Sequence, residues 1–193
     1  GEVSWCGVGK KFADQSPLSL QLRPDAAIED LEEIVEKIIH QFKKLIEVNG
    51  LEEILYTGVR SELKPRHERF SQRLFYAVAD SYCKANNLDI SREPDAGSGP
   101  VDFKLSRGYT NRVLVELKLS SNSKLINGYR RQLPAYQESE NTKRSFYVVL
   151  KVTKSDKQIK ELIELESKIV RGGKKAPKVI VIDAEPKPSA SKR

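Results

Sequence analysis

Three charged residues lie on two short apolar segments of the chain: Asp102 on the first, Glu116 and Lys118 on the second. Residues 106–111, which join the segments, contain a glycine and are typical of a hairpin turn. If the strands pair symmetrically about Tyr109, Asp102 lies opposite Glu116 with the two Cβ atoms about 5 Å apart. Lys118 follows Glu116 by two residues and therefore shares the same face of the sheet.

This arrangement of two acids and an amine suits metal-assisted hydrolysis. Adjacent carboxylates repel each other unless a cation lies between them. Oxygen ligands without Cys or His suit Mg²⁺ or Mn²⁺, so we expect Asp102 and Glu116 to bind such an ion. A divalent ion there could polarise a phosphodiester and lower the pKa of a bound water. Lys118 could orient or deprotonate that water, or stabilise charge on the phosphorus. The alternative is a cross-strand ion pair on a solvated face.

The composition favours a polyanionic partner without requiring one. The 193 residues include 34 basic and 27 acidic side chains, which gives a net charge of +7. Surface charge that serves only solubility explains this balance equally well. Two cysteines without a CxxC or Cys/His cluster make a structural zinc site unexpected and favour a reducing cytoplasm. No apolar run approaches the roughly 18 residues that cross a membrane, so no membrane partner is expected.

Apolar periodicity predicts alternating helices and strands around one sheet. The predicted helices are Ala26 to about Val48 with Asp25 as its cap, a second from near Pro65 to Ala85, Leu125 to about Glu138, and Lys157–Val170. The predicted strands are 88–91, Val101–Leu105, Arg112–Leu119, Ser145–Val152 and Lys178–Ile182. This order predicts an α/β (α+β) architecture with a mixed central sheet flanked by helices and preceded by a helical extension.

The first helix raises the question of domain organisation. We expect an N-terminal segment (1–60) that serves as a linker or dimerisation region, a catalytic domain (61–184) and a flexible tail (185–193). A wide apolar stripe on the helix suits a homodimer seam or a join to another domain. Burial of the stripe on its own core remains the alternative. The missing initiator methionine suggests a fragment of a larger multidomain protein.

The segments Gly99–Phe103 and Val113–Leu119 together resemble the signature of the PD-(D/E)xK nuclease superfamily, which has the restriction-endonuclease-like fold. In that superfamily an apolar strand carries the Asp and the next strand carries Glu-x-Lys. The predicted element order is similar to its αβββαβ core over roughly residues 62–152. The literal Pro-Asp pair falls at Asp95, in a Gly/Pro-rich loop, whereas Asp102 lies on an apolar strand. Asp102 is therefore the preferred first acid.

The resemblance extends to the helix after Glu-x-Lys. Gln132 and Tyr136 match the Gln-x-x-x-Tyr motif of the exonuclease-like branch, where the pair contacts substrate or steadies the site. Residues four apart share one helix face. Arg130 and Arg131 beside them could contact phosphates. A surface glutamine and a core tyrosine form the alternative.

An acid on the helix before the strands is a further expected site residue. Family members often place a glutamate there, near the metal. Glu68 is preferred over Glu62 because it lies in the periodic segment, four residues before Gln72. A glutamate that only stabilises the helix dipole is the alternative.

These features together predict a Mg²⁺-dependent nuclease that hydrolyses DNA. By analogy with the family, we expect an endonuclease effector domain of a prokaryotic defence or repair protein. Two alternatives remain open: an exonuclease of the same fold, and a catalytically silent module that binds nucleic acid or serves in assembly.

Overall fold

The computed structural model describes residues 28–59, 62–92 and 101–187. Its helical segments are α1 (Ile28–Glu47), a 3₁₀ helix (Leu51–Leu55), α2 (Glu68–Ala85), α3 (Leu125–Asn127), a π turn (Gly128–Gln132), α4 (Leu133–Ser139) and α5 (Lys157–Arg171). Its strands are β1 (Tyr56–Thr57), β2 (Lys64–Pro65), β3 (Asp89–Arg92), β4 (Phe103–Arg107), β5 (Asn111–Leu119), β6 (Ser145–Lys151) and β7 (Lys178–Asp183). The expected cap at Asp25 and most of the expected tail lie outside the described residues.

Five of the described strands form one mixed sheet in the order β3-β4-β5-β6-β7. The pairs β3–β4 and β4–β5 are antiparallel, whereas β5–β6 and β6–β7 are parallel. The predicted α+β architecture with a mixed central sheet and flanking helices is therefore confirmed. The β4–β5 register places Phe103 opposite Val115 and is symmetric about Tyr109, as the sequence predicts.

Alternation along β5 divides the interior into two apolar clusters, one on each face of the sheet. Val113, Val115, Leu117 and Leu119 lie in a cluster with apolar residues of α1 and α2. Leu114 lies in a second cluster with Tyr147, Val149 and side chains from α3 to α5. Because side chains alternate between faces, Glu116 and Lys118 belong to the face of Leu114.

Helix α1 belongs to this core. Its apolar stripe is fully buried at Val35, Ile38, Ile39 and Phe42, and these residues form one cluster with β4, β5 and β7. Of the two possibilities for this helix, the structure therefore shows burial on its own core, not a free stripe reserved for a linker or a homodimer. No helix in the described ranges is long and apolar enough to span a bilayer.

Helix α2 begins three residues later than the position of Pro65 suggests. Pro65 belongs to β2 and pairs with Tyr56 of β1. His67 then caps α2, because its Nδ1 accepts a hydrogen bond from the amide of Arg69 at 3.2 Å. The sequence pattern could not show this because β1 and β2 are only two residues long each. The later start makes Glu68 the first residue of the helix.

The segment predicted as one helix after β5 contains a π turn. The turn ends two residues before Pro134, whose ring nitrogen has no hydrogen to donate to the preceding helical turn. Gly128 is the first residue of the turn and packs against Tyr147 of β6. A Cβ atom on Gly128 would lie 2.5 Å from the Tyr147 hydroxyl oxygen. That hydroxyl donates a 2.7 Å hydrogen bond to the carbonyl of Leu125, so it has little freedom to move.

The packing of α1 predicts a large loss of stability for Phe42→Ala. The Phe42 ring is fully buried and packs edge-on against Phe75, with ring centroids 5.3 Å apart. Its removal is expected to lower the free energy of unfolding by about 3–5 kcal/mol in a urea titration. The matched control Val48→Ala, at a 73% exposed position just after α1, should change that free energy by less than about 0.5 kcal/mol. Equal stabilities of the two variants would contradict the packing of α1.

The close approach of Gly128 to Tyr147 predicts a coupled pair. Gly128→Ala should lower the free energy of unfolding by about 1–3 kcal/mol, because the new methyl group meets the tyrosine hydroxyl. In a Tyr147→Phe background the same change should be neutral or stabilising, because alanine favours a helix over glycine by about 1 kcal/mol. The measurement is a double-mutant cycle by urea denaturation. Additive effects, to within about 0.5 kcal/mol, would show that the contact is absent.

Candidate active site

The candidate site lies where β4 and β5 separate. Pairing between these strands ends at Phe103, so the amides of Leu117 and Leu119 have no carbonyl partner on β4. Carboxylates take that place: Leu117 donates to Asp102 Oδ2 at 2.7 Å, and Leu119 donates to Glu68 Oε2 at 2.9 Å. The fork in the sheet therefore collects acidic side chains, because buried amides need acceptors.

Asp102 is held on three sides within this fork. The amide of Gln72, on α2, donates to Asp102 Oδ1 at 2.8 Å. The backbone amide of Asp102 donates in turn to Glu116 Oε2 at 3.2 Å. Asp102 is 8% exposed and Glu116 is 2% exposed. The expected opposition of these two acids across the hairpin is confirmed by the register and by this hydrogen bond.

Lys118 lies among the carboxylates. Its Nζ is 2.7 Å from Glu116 Oε1, 3.4 Å from Glu68 Oε1 and 3.7 Å from Asp102 Oδ2. The lysine is itself only 9% exposed. A solvated surface ion pair, the alternative considered for this motif, does not describe such a buried group. The ammonium instead compensates three acids at once.

Glu68 reaches the site from the first turn of α2. Its Oε2 accepts hydrogen bonds from the amide of Leu119 and, at 3.0 Å, from Asn122 Nδ2 in the loop after β5. The start of a helix also favours a negative charge, so both the helix dipole and these two hydrogen bonds stabilise the Glu68 carboxylate. The other candidate, Glu62, is exposed, and Asp95 lies outside the described residues. The structure thus brings Glu68, and not Glu62, to Lys118.

The site carries more negative than positive charge. Burial and the adjacent Glu116 raise the pKa of Asp102 from an ordinary value of 3.8 to about 7. Burial also raises the pKa of Glu116, although Lys118 opposes this effect. Burial alone would disfavour the Lys118 ammonium, but Asp102, Glu116 and Glu68 raise its pKa above the usual range. One ammonium therefore leaves the carboxylates short of positive charge at neutral pH.

The donor set fits a hard divalent cation. Within residues 28–59, 62–92 and 101–187, no three His, Cys, Asp or Glu side chains form a ready-made ion site. The Lys118 ammonium lies next to the carboxylates of the candidate site. The fit rests on chemistry: the acids are oxygen donors, and burial together with the adjacent Glu116 raises the pKa of Asp102. Asp102 and Glu116 are the residues that would hold the ion, with Glu68 beside them.

The two residues of the Gln-x-x-x-Tyr motif have different surroundings: Gln132 is half-buried, whereas Tyr136 is buried. Gln132 Oε1 lies close to Gly128: a Cβ atom added to that glycine would be 3.3 Å from Gln132 Oε1 and 2.5 Å from the Tyr147 hydroxyl oxygen. Tyr147 is the β6 residue that pairs with Glu116, so Gln132 lies near the acids through one intervening side chain. Tyr136 is 6% exposed within the second apolar cluster. That burial suits support of the site and leaves little of the ring for substrate.

The two predicted arginines lie on the outer surface. Arg130 is exposed and lies 3.7 Å from Glu161 of α5. Arg131 is exposed as well. No hydrogen bond or ion pair among the described residues links either of them to Asp102 or Lys118. Their contact with substrate therefore stays a prediction.

Sequence reasoning missed three side chains that complete the site: Gln72, Asn122 and Tyr147. Gln72 carried a signal, because it follows Glu68 by one helical turn and must share its face. Asn122 lies in a polar loop, where nothing in the sequence separates it from its neighbours. Tyr147 lies within an apolar run that indicates only a buried strand. Its position beside Glu116 depends on the parallel β5–β6 register.

The chain belongs to the family described as "Domain of unknown function (DUF8371)", which matches residues 31–154. The matched region runs from α1 to just beyond β6 and includes Glu68, Asp102, Glu116 and Lys118. No curated protein and no solved structure matches the chain. The family description assigns no activity, so the chemistry of the site must indicate the function.

Removal of the ammonium should destabilise the protein in a pH-dependent way. Lys118→Met leaves buried carboxylates uncompensated and should cost about 3–5 kcal/mol of unfolding free energy near pH 8. The cost should shrink near about pH 5, because folded Asp102 retains a proton there. A raised carboxyl pKa makes stability fall as pH rises from about 4 to about 7, and loss of Lys118 extends that fall to higher pH.

Urea titrations with a chelator present, at several pH values, measure this effect. The double variant Glu116→Gln/Lys118→Met is the control, because it removes a buried pair together and should recover part of the loss. A cost of Lys118→Met that is the same at all these pH values would contradict the proposed charge balance.

Proposed function

We propose that this protein is a Mg²⁺- or Mn²⁺-dependent nuclease that hydrolyses DNA phosphodiester bonds. The observation that carries the proposal is the buried group formed by Asp102, Glu116, Glu68 and Lys118 at the fork of β4 and β5. Two acids and an amine in contact are the groups that metal-assisted phosphodiester hydrolysis uses. Burial of charge without a role in binding or catalysis would cost stability. The resemblance to the PD-(D/E)xK superfamily supports the same conclusion.

Each residue has a separate task in the proposed reaction. Asp102 and Glu116 would hold the ion, and a bound ion would polarise the phosphodiester and lower the pKa of a water. Gln72 and the amide of Leu117 keep Asp102 in place through hydrogen bonds of 2.8 and 2.7 Å. Preorganised ligands of this kind lower the cost of reorganisation during the reaction.

Lys118 acts as a hydrogen-bond donor and a positive charge. The sequence left open whether it would orient a water or deprotonate it. With three carboxylates around it, its pKa is raised, so the ammonium remains protonated at neutral pH. A protonated lysine orients a nucleophile and stabilises the additional negative charge on the phosphate in the transition state.

The wider proposal follows the sequence resemblance. An endonuclease effector domain of a prokaryotic defence or repair protein, acting in the cytoplasm, is the form we propose. Gln132 is the residue of the Gln-x-x-x-Tyr motif best placed to contact substrate, because it lies next to Gly128 and Tyr147. An exonuclease of the same fold is compatible with that motif. Pairing of two copies would use a surface other than the buried stripe of α1.

A second candidate function is a nucleic-acid-binding module without turnover. The observation in its favour is that the Lys118 ammonium already contacts all three carboxylates. A module of this kind would bind DNA with or without divalent ions. A nuclease requires the ion, so dependence on Mg²⁺ separates the two.

Loss of either central charge should abolish cleavage. We expect Asp102→Ala and Lys118→Ala to reduce the DNA cleavage rate at least about 100-fold in Mg²⁺. Because both residues are buried, Asp102→Asn and Lys118→Met are tested beside them, with circular dichroism to verify folding. The assay uses matched linear, circular and single-stranded DNA and RNA, with Mg²⁺, Mn²⁺ or a chelator.

Glu62→Gln is the matched control for these variants. Glu62 is an exposed acid six residues before Glu68, and its neutralisation should leave the rate within about twofold of the original protein. Cleavage by a folded Asp102→Asn variant at the original rate would refute the assignment. Tight DNA binding without any metal-dependent cutting would support the module instead.

A further inference from the structure

Helix α2 places an arginine directly after each of its two residues that contact the acidic site. Glu68 and Gln72 contact the site, and Arg69 and Arg73 follow them. Consecutive residues are about 100° apart around a helix, so both arginines project from the flank of α2 beside the site. They are one helical turn apart, and both are exposed.

Strand β3 adds a third arginine to this flank. The guanidinium carbon of Arg92 lies 5.7 Å from the centroid of the Tyr76 ring. Tyr76 follows Arg73 by three residues and Arg69 by seven, which places all three on one face of α2. Arg92 pairs with Phe103, the residue directly after the buried aspartate. The three arginines therefore lie along one side of the site.

These arginines carry uncompensated charge. Among the described residues, no carboxylate forms an ion pair or hydrogen bond with Arg69, Arg73 or Arg92. On α1, by contrast, Lys37 and Lys43 each pair with a glutamate four residues away. Stacking on an aromatic ring limits the freedom of a guanidinium, which lowers the entropy cost of binding an anion. Exposed arginines without carboxylate partners are suited to binding phosphates, and these arginines lie next to the buried carboxylates of the candidate site.

We propose that Arg69, Arg73 and Arg92, the arginine flank, bind the sugar-phosphate backbone of a DNA strand and direct one phosphodiester to Asp102 and Glu116. Arginines bind phosphates in a bidentate manner and position a strand without reading its sequence. The role of the acids in this inference depends on the proposed function, whereas backbone binding by the flank does not. Arg130 and Arg131, which the sequence analysis expects to contact phosphates, are not part of this flank.

The test compares two double variants with the same change in net charge. Arg69→Gln/Arg73→Gln removes two charges from the flank. Arg171→Gln/Lys174→Gln removes two exposed charges from the end of α5 and the turn after it, next to β7 at the sheet edge opposite β3. Binding of labelled duplex and single-stranded DNA is measured by fluorescence anisotropy, with a chelator present, from about 50 to about 200 mM salt.

The flank variant should bind DNA at least about tenfold more weakly, and its logarithmic salt slope on duplex should fall by about 1.8, that is about 0.9 for each lost phosphate contact. The β7 control should change affinity less than about twofold with an unchanged slope. Arg69→Lys/Arg73→Lys, which keeps the charge, should retain most of the affinity. Equal losses in both double variants, or unchanged binding by the flank variant, would overturn the proposal.

A small diester separates this proposal from the proposed function. Bis(p-nitrophenyl) phosphate has one phosphodiester and no further strand backbone for the flank to bind, so the flank variant should hydrolyse it at the original rate in Mg²⁺ or Mn²⁺. Suppose that the original protein cleaves no diester, and that the flank variant loses DNA affinity while the β7 control does not. The nuclease proposal is then wrong and the proposal for the flank is supported. If the flank variant cleaves and binds DNA as the original protein does, the proposal for the flank is wrong and the nuclease proposal is supported.

Discussion

The ammonium of Lys118 holds together three carboxylates that would otherwise repel one another in a site nearly closed to water. Two of these acids also complete the backbone hydrogen bonding of β5, because Asp102 and Glu68 accept the amides of Leu117 and Leu119. The charge balance at Lys118 is therefore tied to the geometry of the sheet and to the attachment of α2. Few other contacts in the described residues join so many elements.

This coupling explains why the acids are buried and still rich in negative charge. A fork in a sheet leaves amides that need acceptors, and carboxylates satisfy them better than neutral groups do. The same carboxylates outnumber the single lysine, and burial together with the adjacent Glu116 raises the pKa of Asp102 to about 7. A core made of such groups is a poor source of stability. The cation site that we propose would account for keeping such a group buried.

Several elements followed from local sequence, and others did not. The β4–β5 register follows from alternation and turn chemistry within about twenty residues, and the apolar stripe of α1 follows from helical period. The start of α2 does not, because Pro65 pairs with Tyr56 and the helix begins only after that pair. The close approach of Gly128 to Tyr147 does not follow either, because the two residues lie on separate elements.

The sequence by itself determined the chemistry of this protein's centre: which acids and which lysine share a face of the hairpin. Side-chain alternation decides that, and it needs no knowledge of the rest of the chain. Only the tertiary structure decided which other residues join them. Gln72 and Asn122 reach the site, while Arg130 pairs with Glu161 on the surface. These positions depend on how helices pack on the sheet, which is a property of the whole core and not of local period.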